Sequence, residues 1–299
     1  MQSTLEAAYA KVNLFLGVTE KRSDGFHEIS SVMHSLSLCD RLTVGVESSV
    51  LPEIRLRVFP KSNIPEDQRN LVWRAAAAFL ERVRIPLSVD LTLEKIIPSE
   101  AGLGGGSSDA AATLRALNRL LGAPLSTEEL LLLAASLGSD VPFCLLGGTA
   151  LCTGRGERIV PISEPLSLYA VVCKGSEAVS TPKAYRALDL LYSDFSDPSL
   201  VPMQSADGMA ELCRRRDPLS VAKGLYNVFE SVVYPSCPEA MAQRDRLLSL
   251  GADGALLSGS GSAVFGLFSD LERARKAAER LDGFAFVAES APASLRYPD

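Results

Sequence analysis

Pro98-Ser99-Glu100-Ala101-Gly102-Leu103-Gly104-Gly105-Gly106-Ser107-Ser108 is the stretch whose reading decides the fold. Upstream, Leu87, Val89, Leu91 and Leu93 alternate with Ser88, Asp90, Thr92 and Glu94, the period of a strand. Downstream, Ala110, Leu114, Leu117 and Leu121 fall on one helical stripe, and Gly122 is the expected stop. A glycine loop from strand to helix lets backbone N–H groups come close to a ligand, with Gly105 expected at positive φ. The helix start adds unpaired N–H groups and the positive end of a dipole. Phosphate oxygens are the expected guest. A plain tight turn would account for one or two glycines, but not for four in five positions beside two serines.

The common nucleotide motifs do not fit this loop. No Gly-Lys dipeptide occurs in the chain, which removes the Walker A reading. No Gly-x-Gly-x-x-Gly spacing is met, so the dinucleotide fingerprint fails too. Protein-kinase signatures such as His-Arg-Asp and Asp-Phe-Gly are missing.

Working outward from the loop, Asn70 is an N-cap for a helix running through an alanine-rich stretch to about Val83. Alternating runs at Leu42-Val44-Val46 and Ile54-Leu56-Val58 predict strands. Near the start, Val12, Leu14 and Leu16 alternate with Lys11, Asn13 and Phe15. That predicts a half-buried strand with Lys11 and Asn13 together on the face away from the aliphatic one. Toward the C-terminus, Ser126-Thr127-Glu128-Glu129 is a capping box opening a helix that Gly138 ends. A strand over Leu166–Cys173 then begins a second unit. Helices follow near 182–192, 218–234 and 236–250, then a hairpin around Gly259-Ser260-Gly261, a helix at 270–282 and a last strand at 284–288. Residues 193–217 read as a surface excursion ending in Arg214-Arg215-Arg216, a solvated cationic face. The expectation is an α+β protein of two domains, 1–160 and 161–299, with no sustained βαβ rhythm.

Length and composition agree with two domains sharing a cleft, since 299 residues exceed a usual single domain. Acidic residues outnumber basic ones 36 to 30, a net charge of −6, which argues against nucleic-acid or membrane-surface partners. No apolar run approaches membrane-spanning length, and the Val12–Val18 stretch is too short and too polar for a targeting signal. A cytoplasmic protein, monomeric or weakly homodimeric, is expected. Six scattered cysteines without a Cys-x-x-Cys pair read as reduced core residues. Two histidines exclude a His-rich metal centre.

Pro98 to Ala111 resembles the ATP-binding signature of the GHMP kinase superfamily, which phosphorylates small-molecule alcohols. Further segments narrow the likeness: Ala10-Lys11-Val12-Asn13-Leu14, Asp24-Gly25-Phe26-His27-Glu28, Gly138-Ser139-Asp140-Val141-Pro142-Phe143 and Thr181-Pro182-Lys183-Ala184-Tyr185. They resemble the branch whose substrate is a cytidine-diphosphate-linked methylerythritol, and the likeness runs in order over essentially the whole chain. It implies a ribosomal-protein-like N-terminal domain, a ferredoxin-like C-terminal domain and an active site between them. It also implies ATP as phosphoryl donor, Mg²⁺ with it, and phosphorylation of a 2-hydroxyl in non-mevalonate isoprenoid synthesis.

The resemblance assigns ATP binding to residues 98–108. It makes Asp140 the catalytic carboxylate that orients the attacking hydroxyl, and Lys11 the cation that neutralises the transferring phosphoryl group. Taken alone, Asp140 reads rather as an N-cap or turn aspartate and Lys11 as a solvated strand charge; the Pro142-Phe143 and Gly147-Gly148 context reverses the balance for Asp140. Asn13, Phe26, His27 and Tyr185 match positions that bind the cytidine end, the two aromatic faces sandwiching a pyrimidine and His27 reading its edge. Position 26 is more often tyrosine in the family, so Phe26 keeps the ring and loses a hydroxyl. No paired carboxylates identify a metal ligand; Gly259-Ser260-Gly261 either borders the phosphates or merely turns a hairpin.

Overall fold

The structure, a computed structural model, describes residues 2–162, 166–192 and 205–295. Two long strands, β1 (Gln2–Lys21) and β2 (His27–Ser48), form one antiparallel hairpin that carries the first sheet. Register shifts at Tyr9/Ala10, Asn13/Phe15 and Val18/Glu20 let so long a strand bend around a core. β3 (Glu53–Phe59) runs parallel to β4 (Leu87–Glu94), and β4 pairs with β2. β5 (Thr149–Thr153) also pairs with β2 and carries β6 (Arg158–Pro161).

The helices of this half are α1 (Leu71–Val83), α2 (Gly105–Leu120), α3 (Thr127–Leu137) and α4 (Val141–Leu146). The Asn70 side chain accepts from the Val72 N–H at 2.9 Å, and the Ser126–Glu129 capping box forms in both directions. Phe79 of α1, Leu114 and Leu117 of α2 and Leu91 of β4 share one core.

The second sheet holds β7 (Tyr169–Lys174), β9 (Gly254–Leu257), β10 (Val264–Phe268) and β11 (Phe284–Glu289), in the order β11-β7-β10-β9, all antiparallel. That is the order of a ferredoxin-like βαββαβ unit. Its helices are α5 (Thr181–Leu191), α6 (Ala206–Arg214), α7 (Pro218–Lys223), α8 (Glu230–Ser236), α9 (Pro238–Ser249) and α10 (Leu271–Ala278). The α+β architecture expected from the sequence is present. The halves are not independent, because β8 (Tyr226–Asn227) crosses back to pair in parallel with Phe15 and Leu16 of β1.

Several local expectations change. The β1 strand is buried from Ala10 to Leu16, since Ala10, Val12 and Leu14 share a core with Leu168, Ala170 and Phe265 of the second half, while Lys11 on the other face lies against Gly104 and Gly259. β7 starts at Tyr169, not Leu166, because the Leu168 N–H bonds the Ser290 side chain and not a ladder carbonyl. The helix expected over 218–234 is broken by Gly224 and β8. The extended Asn227 sends its amide to the carbonyls of Leu257 and Gly259, at 2.8 and 2.7 Å, a reach that the strand provides. The helix expected over 270–282 stops at Ala278.

The excursion expected over 193–217 is corrected in its second part, while 193–204 lies outside the described residues. Ser205 caps α6, which buries Ala206, Met209, Ala210 and Cys213 beside β1 and β2; Arg214, Arg215 and Arg216 are exposed. The spacing i, i+3, i+4, i+7 of that buried face was readable as helix. All six cysteines are free thiols, five of them buried. Among the described residues no helix is long and apolar enough to cross a membrane.

Candidate active site

Lys11 sits between the first two bulges of β1, only 4% exposed. A buried ammonium needs partners, and it has them: Asn13 Oδ1 at 2.8 Å and Asp140 Oδ2 at 3.5 Å. Asn13 in turn donates to Ser31 Oγ at 2.8 Å, and Ser31 donates to the Phe15 carbonyl at 2.7 Å. The chain holds the ammonium in place through the neighbouring strand. The solvated-charge reading of Lys11 is excluded.

Asp140 follows the C-cap Gly138 of α3 and stands at the N-cap position of α4, yet its side chain makes no capping bond. A carboxylate at a helix start that does not cap is available for other work. Here it faces Lys11 and lines a cavity of about 640 Å³. The capping reading of this residue is thereby removed.

The glycine loop closes over β1. The Lys11 N–H donates to the Leu103 carbonyl at 2.9 Å. Positive φ falls on Gly102 and Gly104, at 74° and 69°, and not on Gly105, which is already the first residue of α2. A Cβ on Gly104 would stand 2.8 Å from Lys11 Cγ, so this glycine is required by the lysine stem beneath it. A second cavity, of about 380 Å³, is lined by Pro98, Ser99, Glu100, Ala101, Gly102, Leu103, Gly104, Gly105, Gly106 and Ser107, with Asn70, Leu71 and Lys95 opposite. The two cavities meet at Gly102, Gly104 and Ser107. Ser108 lines neither. It is 1% exposed and donates to the Tyr9 carbonyl at 2.7 Å, fastening α2 to β1.

Under the loop lies an ion cluster that sequence reasoning missed. Lys95 bonds Asp40 and, at 2.7 Å, Asp109; Asp40 also accepts from the backbone N–H groups of Ile96 and Ile97. Burial first, then the charge of Asp40, pushes the Asp109 carboxyl up to about 8, against the pull of Lys95. Lys95 stands 55 residues from Asp40 and 14 from Asp109 in sequence, so no local spacing announces the cluster.

At the far end of the larger cavity, His27 lies against Tyr185, ring centroids 4.7 Å apart and planes 24° from parallel. Tyr185 meets Phe229 edge-on at 4.8 Å, and its phenol is pushed up to about 12, by burial first and by Asp140 second. Phe26 is at the rim, 51% exposed, with Arg155 stacked over its ring at 4.9 Å. Tyr185 therefore stacks on His27 in this structure, and Phe26 and Tyr185 line the same cavity. Asp189, one turn beyond Tyr185, holds His27 Nε2 at 2.6 Å and was also missed. Its i+4 spacing from Tyr185 was the available signal. Gly259 and Ser260 turn the β9–β10 hairpin and line the same cavity. Ser260 meets Thr181 Oγ1 at 2.7 Å.

The geometry is a continuous groove. A glycine-rich helix start occupies one end, a Lys–Asp pair the middle, and an aromatic and imidazole cluster the other end. Comparison with known proteins gives the same order. Residues 70–148 match the GHMP kinases N-terminal domain and residues 209–287 the GHMP kinases C-terminal domain. The chain is 43% identical to 4-diphosphocytidyl-2-C-methyl-D-erythritol kinase of Bacillus velezensis, over 94% of this chain and 93% of that one. A crystal structure of 4-(cytidine 5'-diphospho)-2C-methyl-D-erythritol kinase superposes with a TM-score of 0.79 at 38% identity, covering 97% of this chain and 100% of that one. A homoserine kinase from Cytophaga hutchinsonii shares the fold, with a TM-score of 0.72 at 20% identity over 98% and 96% of the two chains. The chain belongs to the GHMP kinases, small-molecule kinases that take phosphate from ATP, and within them to the 4-diphosphocytidyl-2-C-methyl-D-erythritol kinases.

Proposed function

We propose that this protein transfers the terminal phosphate of ATP to the 2-hydroxyl of 4-diphosphocytidyl-2-C-methyl-D-erythritol, a step of non-mevalonate isoprenoid synthesis. The observation that carries this reading is the position of the Lys11–Asp140 pair, 3.5 Å apart where the glycine-loop cavity meets the cavity lined by His27 and Tyr185. ATP phosphates lie against the backbone of Gly102 to Ser107, and the adenine end lies toward Asn70 and Leu71. Asp140 orients the acceptor hydroxyl and takes its proton as the bond to phosphorus forms. Lys11, anchored by Asn13, neutralises charge on the transferring group. Phosphoryl transfer passes through a loose transition state that needs little proton removal, so placement and charge supply the larger share.

Mg²⁺ accompanies ATP in this reading. Among the described residues no group of three His, Cys, Asp or Glu gathers. A sparse site fits Mg²⁺, which keeps waters and substrate phosphates as ligands. The Ser107 hydroxyl and the Asp140 carboxylate, both lining the larger cavity, would hold it; Ser108 is committed to Tyr9. When bound, the ion supplies charge neutralisation at the phosphates. The reading includes a division of the chain near residue 160, a cytoplasmic location, and a monomer or weak homodimer without nucleic-acid partners.

A coupled ADP-release assay with the cytidyl substrate, homoserine and mevalonate tests the proposal. Turnover confined to the cytidyl compound is expected. Faster turnover of homoserine or mevalonate would replace the acceptor and leave the kinase chemistry standing.

A further inference from the structure

We propose that Asn227 is a positioning residue for the phosphoryl transfer: its side-chain amide holds the turn between β9 and β10 against the Lys11 ammonium. The inference rests on the functional reading above and gives a part to a residue that reading does not use. It starts from what confines Lys11. A Cβ on Gly104 would stand 2.8 Å from Lys11 Cγ, and a Cβ on Gly259 would stand 3.3 Å from Lys11 Nζ. The lysine therefore runs between two glycine backbones, one from each half of the chain. The Gly104 side is fixed within the first half, by the start of α2 and by the bond from the Lys11 N–H to the Leu103 carbonyl. The Gly259 side belongs to a turn of the second half, which needs an anchor of its own.

Asn227 is only 3% exposed, and its amide is fully used. Nδ2 donates to the carbonyls of Leu257 and Gly259, at 2.8 and 2.7 Å, which engages both of its hydrogens. Oδ1 accepts from the Phe229 N–H at 3.0 Å, the two-residue reach of an Asx turn. The joint between β8 and β1 does not need this side chain, because the Val228 N–H donates to the Leu16 carbonyl at 2.9 Å. Within the turn, Ser258 is held by Gly102 and Ser260 by Thr181, while Gly259 between them is held by Asn227. Phe229 lines the larger cavity and meets Tyr185 edge-on. One amide thus serves two parts of the groove: its donors hold the turn beside Lys11, and its acceptor holds a wall of the acceptor pocket.

Substitution separates the two duties. Asn227→Asp keeps the shape and the acceptor for Phe229, but sets a carboxylate oxygen against two carbonyl oxygens. Asn227→Ser is neutral and keeps a hydroxyl to accept from Phe229, yet it is too short to reach the turn. Asn227→Ala loses both duties. Once its carbonyl is released, Gly259 is free to shift, and the ammonium it confines shifts with it. A displacement near 1 Å at the reacting centre costs about a hundredfold in rate. Nucleotide binding is spared, since the glycine loop keeps its own bonds to β1.

The test measures kcat and acceptor KM by ADP release at saturating ATP, and the ATP dissociation constant by calorimetry. Asn227→Asp and Asn227→Ser should each lower kcat about a hundredfold. Their acceptor KM and ATP dissociation constant should stay within about threefold of the unmutated enzyme. Asn227→Ala should show the same fall in kcat together with a rise in acceptor KM of about tenfold, as the Phe229 N–H loses its partner. Leu247→Ala is the control for general loosening, since it opens a cavity where fully buried Leu247 of α9 packs on Gly266, apart from the turn. Its melting midpoint should fall and its kcat should hold. A folded Asn227→Ser enzyme with undiminished kcat would overturn the inference, and so would an equal fall in kcat for Leu247→Ala. Where a buried carboxylate stops Asn227→Asp from folding, the neutral serine variant decides alone. Turnover of homoserine or mevalonate in place of the cytidyl acceptor would overturn the functional reading instead, and the kcat comparison would then be made with that acceptor.

Discussion

Gly104→Ala perturbs the site through a single methyl group. Gly104 has φ of 69°, and the added Cβ would stand 2.8 Å from Lys11 Cγ and 3.3 Å from Lys11 Cε. Two costs follow, and they can be separated. The left-handed backbone costs an L-residue about 1–2 kcal/mol, a fraction of the ~5–15 kcal/mol that keeps a protein of ordinary stability folded. The variant should therefore fold, with a midpoint lowered by a few degrees. The steric cost falls on the lysine stem, which must shift and carry Nζ away from Asn13 and Asp140. A displacement near 1 Å at a reacting centre costs about 10²-fold in rate. Gly122→Ala is the internal control: its φ is 76°, and an added Cβ there meets nothing within 4 Å. Thermal melts should show comparable losses for the two variants, whereas kcat measured by ADP release should fall about a hundredfold for Gly104→Ala alone. Equal turnover in both variants would refute the claim that Gly104 exists to clear space for Lys11.

Asp140→Asn should lower kcat by about 10²–10⁴-fold with the ATP dissociation constant unchanged, as separate calorimetric and turnover measurements would show. His27→Ala should flatten the CDP-to-UDP inhibition ratio, while Tyr185→Ala should weaken both nucleotides alike. Asp109 has a folded-state carboxyl held up near 8 against an ordinary value near 4, so the folded state binds the extra proton between those limits. Its contribution is present below pH 4 and is lost as pH rises toward 8. Urea titrations of Asp109→Asn should accordingly show a flatter pH dependence across that window, and an unchanged slope would remove the assignment.

Local chemistry made much of this legible. Asn70, the Ser126–Glu129 box and the glycine loop all announce a helix end through residues within a few positions of it, and each formed where read. The same holds for Lys11 and Asp140, which their motifs singled out as candidates although only the fold could bring them to 3.5 Å. What was not legible depends on distant chain. Asn227 sits in a helix-like stretch, yet it is drawn into a strand by β1, more than two hundred residues earlier. Lys95, Asp40 and Asp109 look like surface charges until three elements bury them together. The two adjacent serines 107 and 108 are indistinguishable in sequence. The helix turns one into the groove and the other into the Tyr9 carbonyl.

Gly102 belongs to the nucleotide loop by every motif, but a side chain there would collide with something other than nucleotide. Its hypothetical Cβ lies 1.9 Å from the carbonyl oxygen of Ser258, whose hydroxyl also bonds the Gly102 carbonyl at 3.1 Å. One residue earlier, the Ala101 carbonyl accepts from the N–H of Ala263. The loop is thus a seam stitched to the second half of the chain by these contacts. Saturation mutagenesis scored only by lost kinase activity would file Gly102 with the phosphate-contacting glycines. Its variants would instead fail as assembly defects, detectable without any nucleotide in the tube.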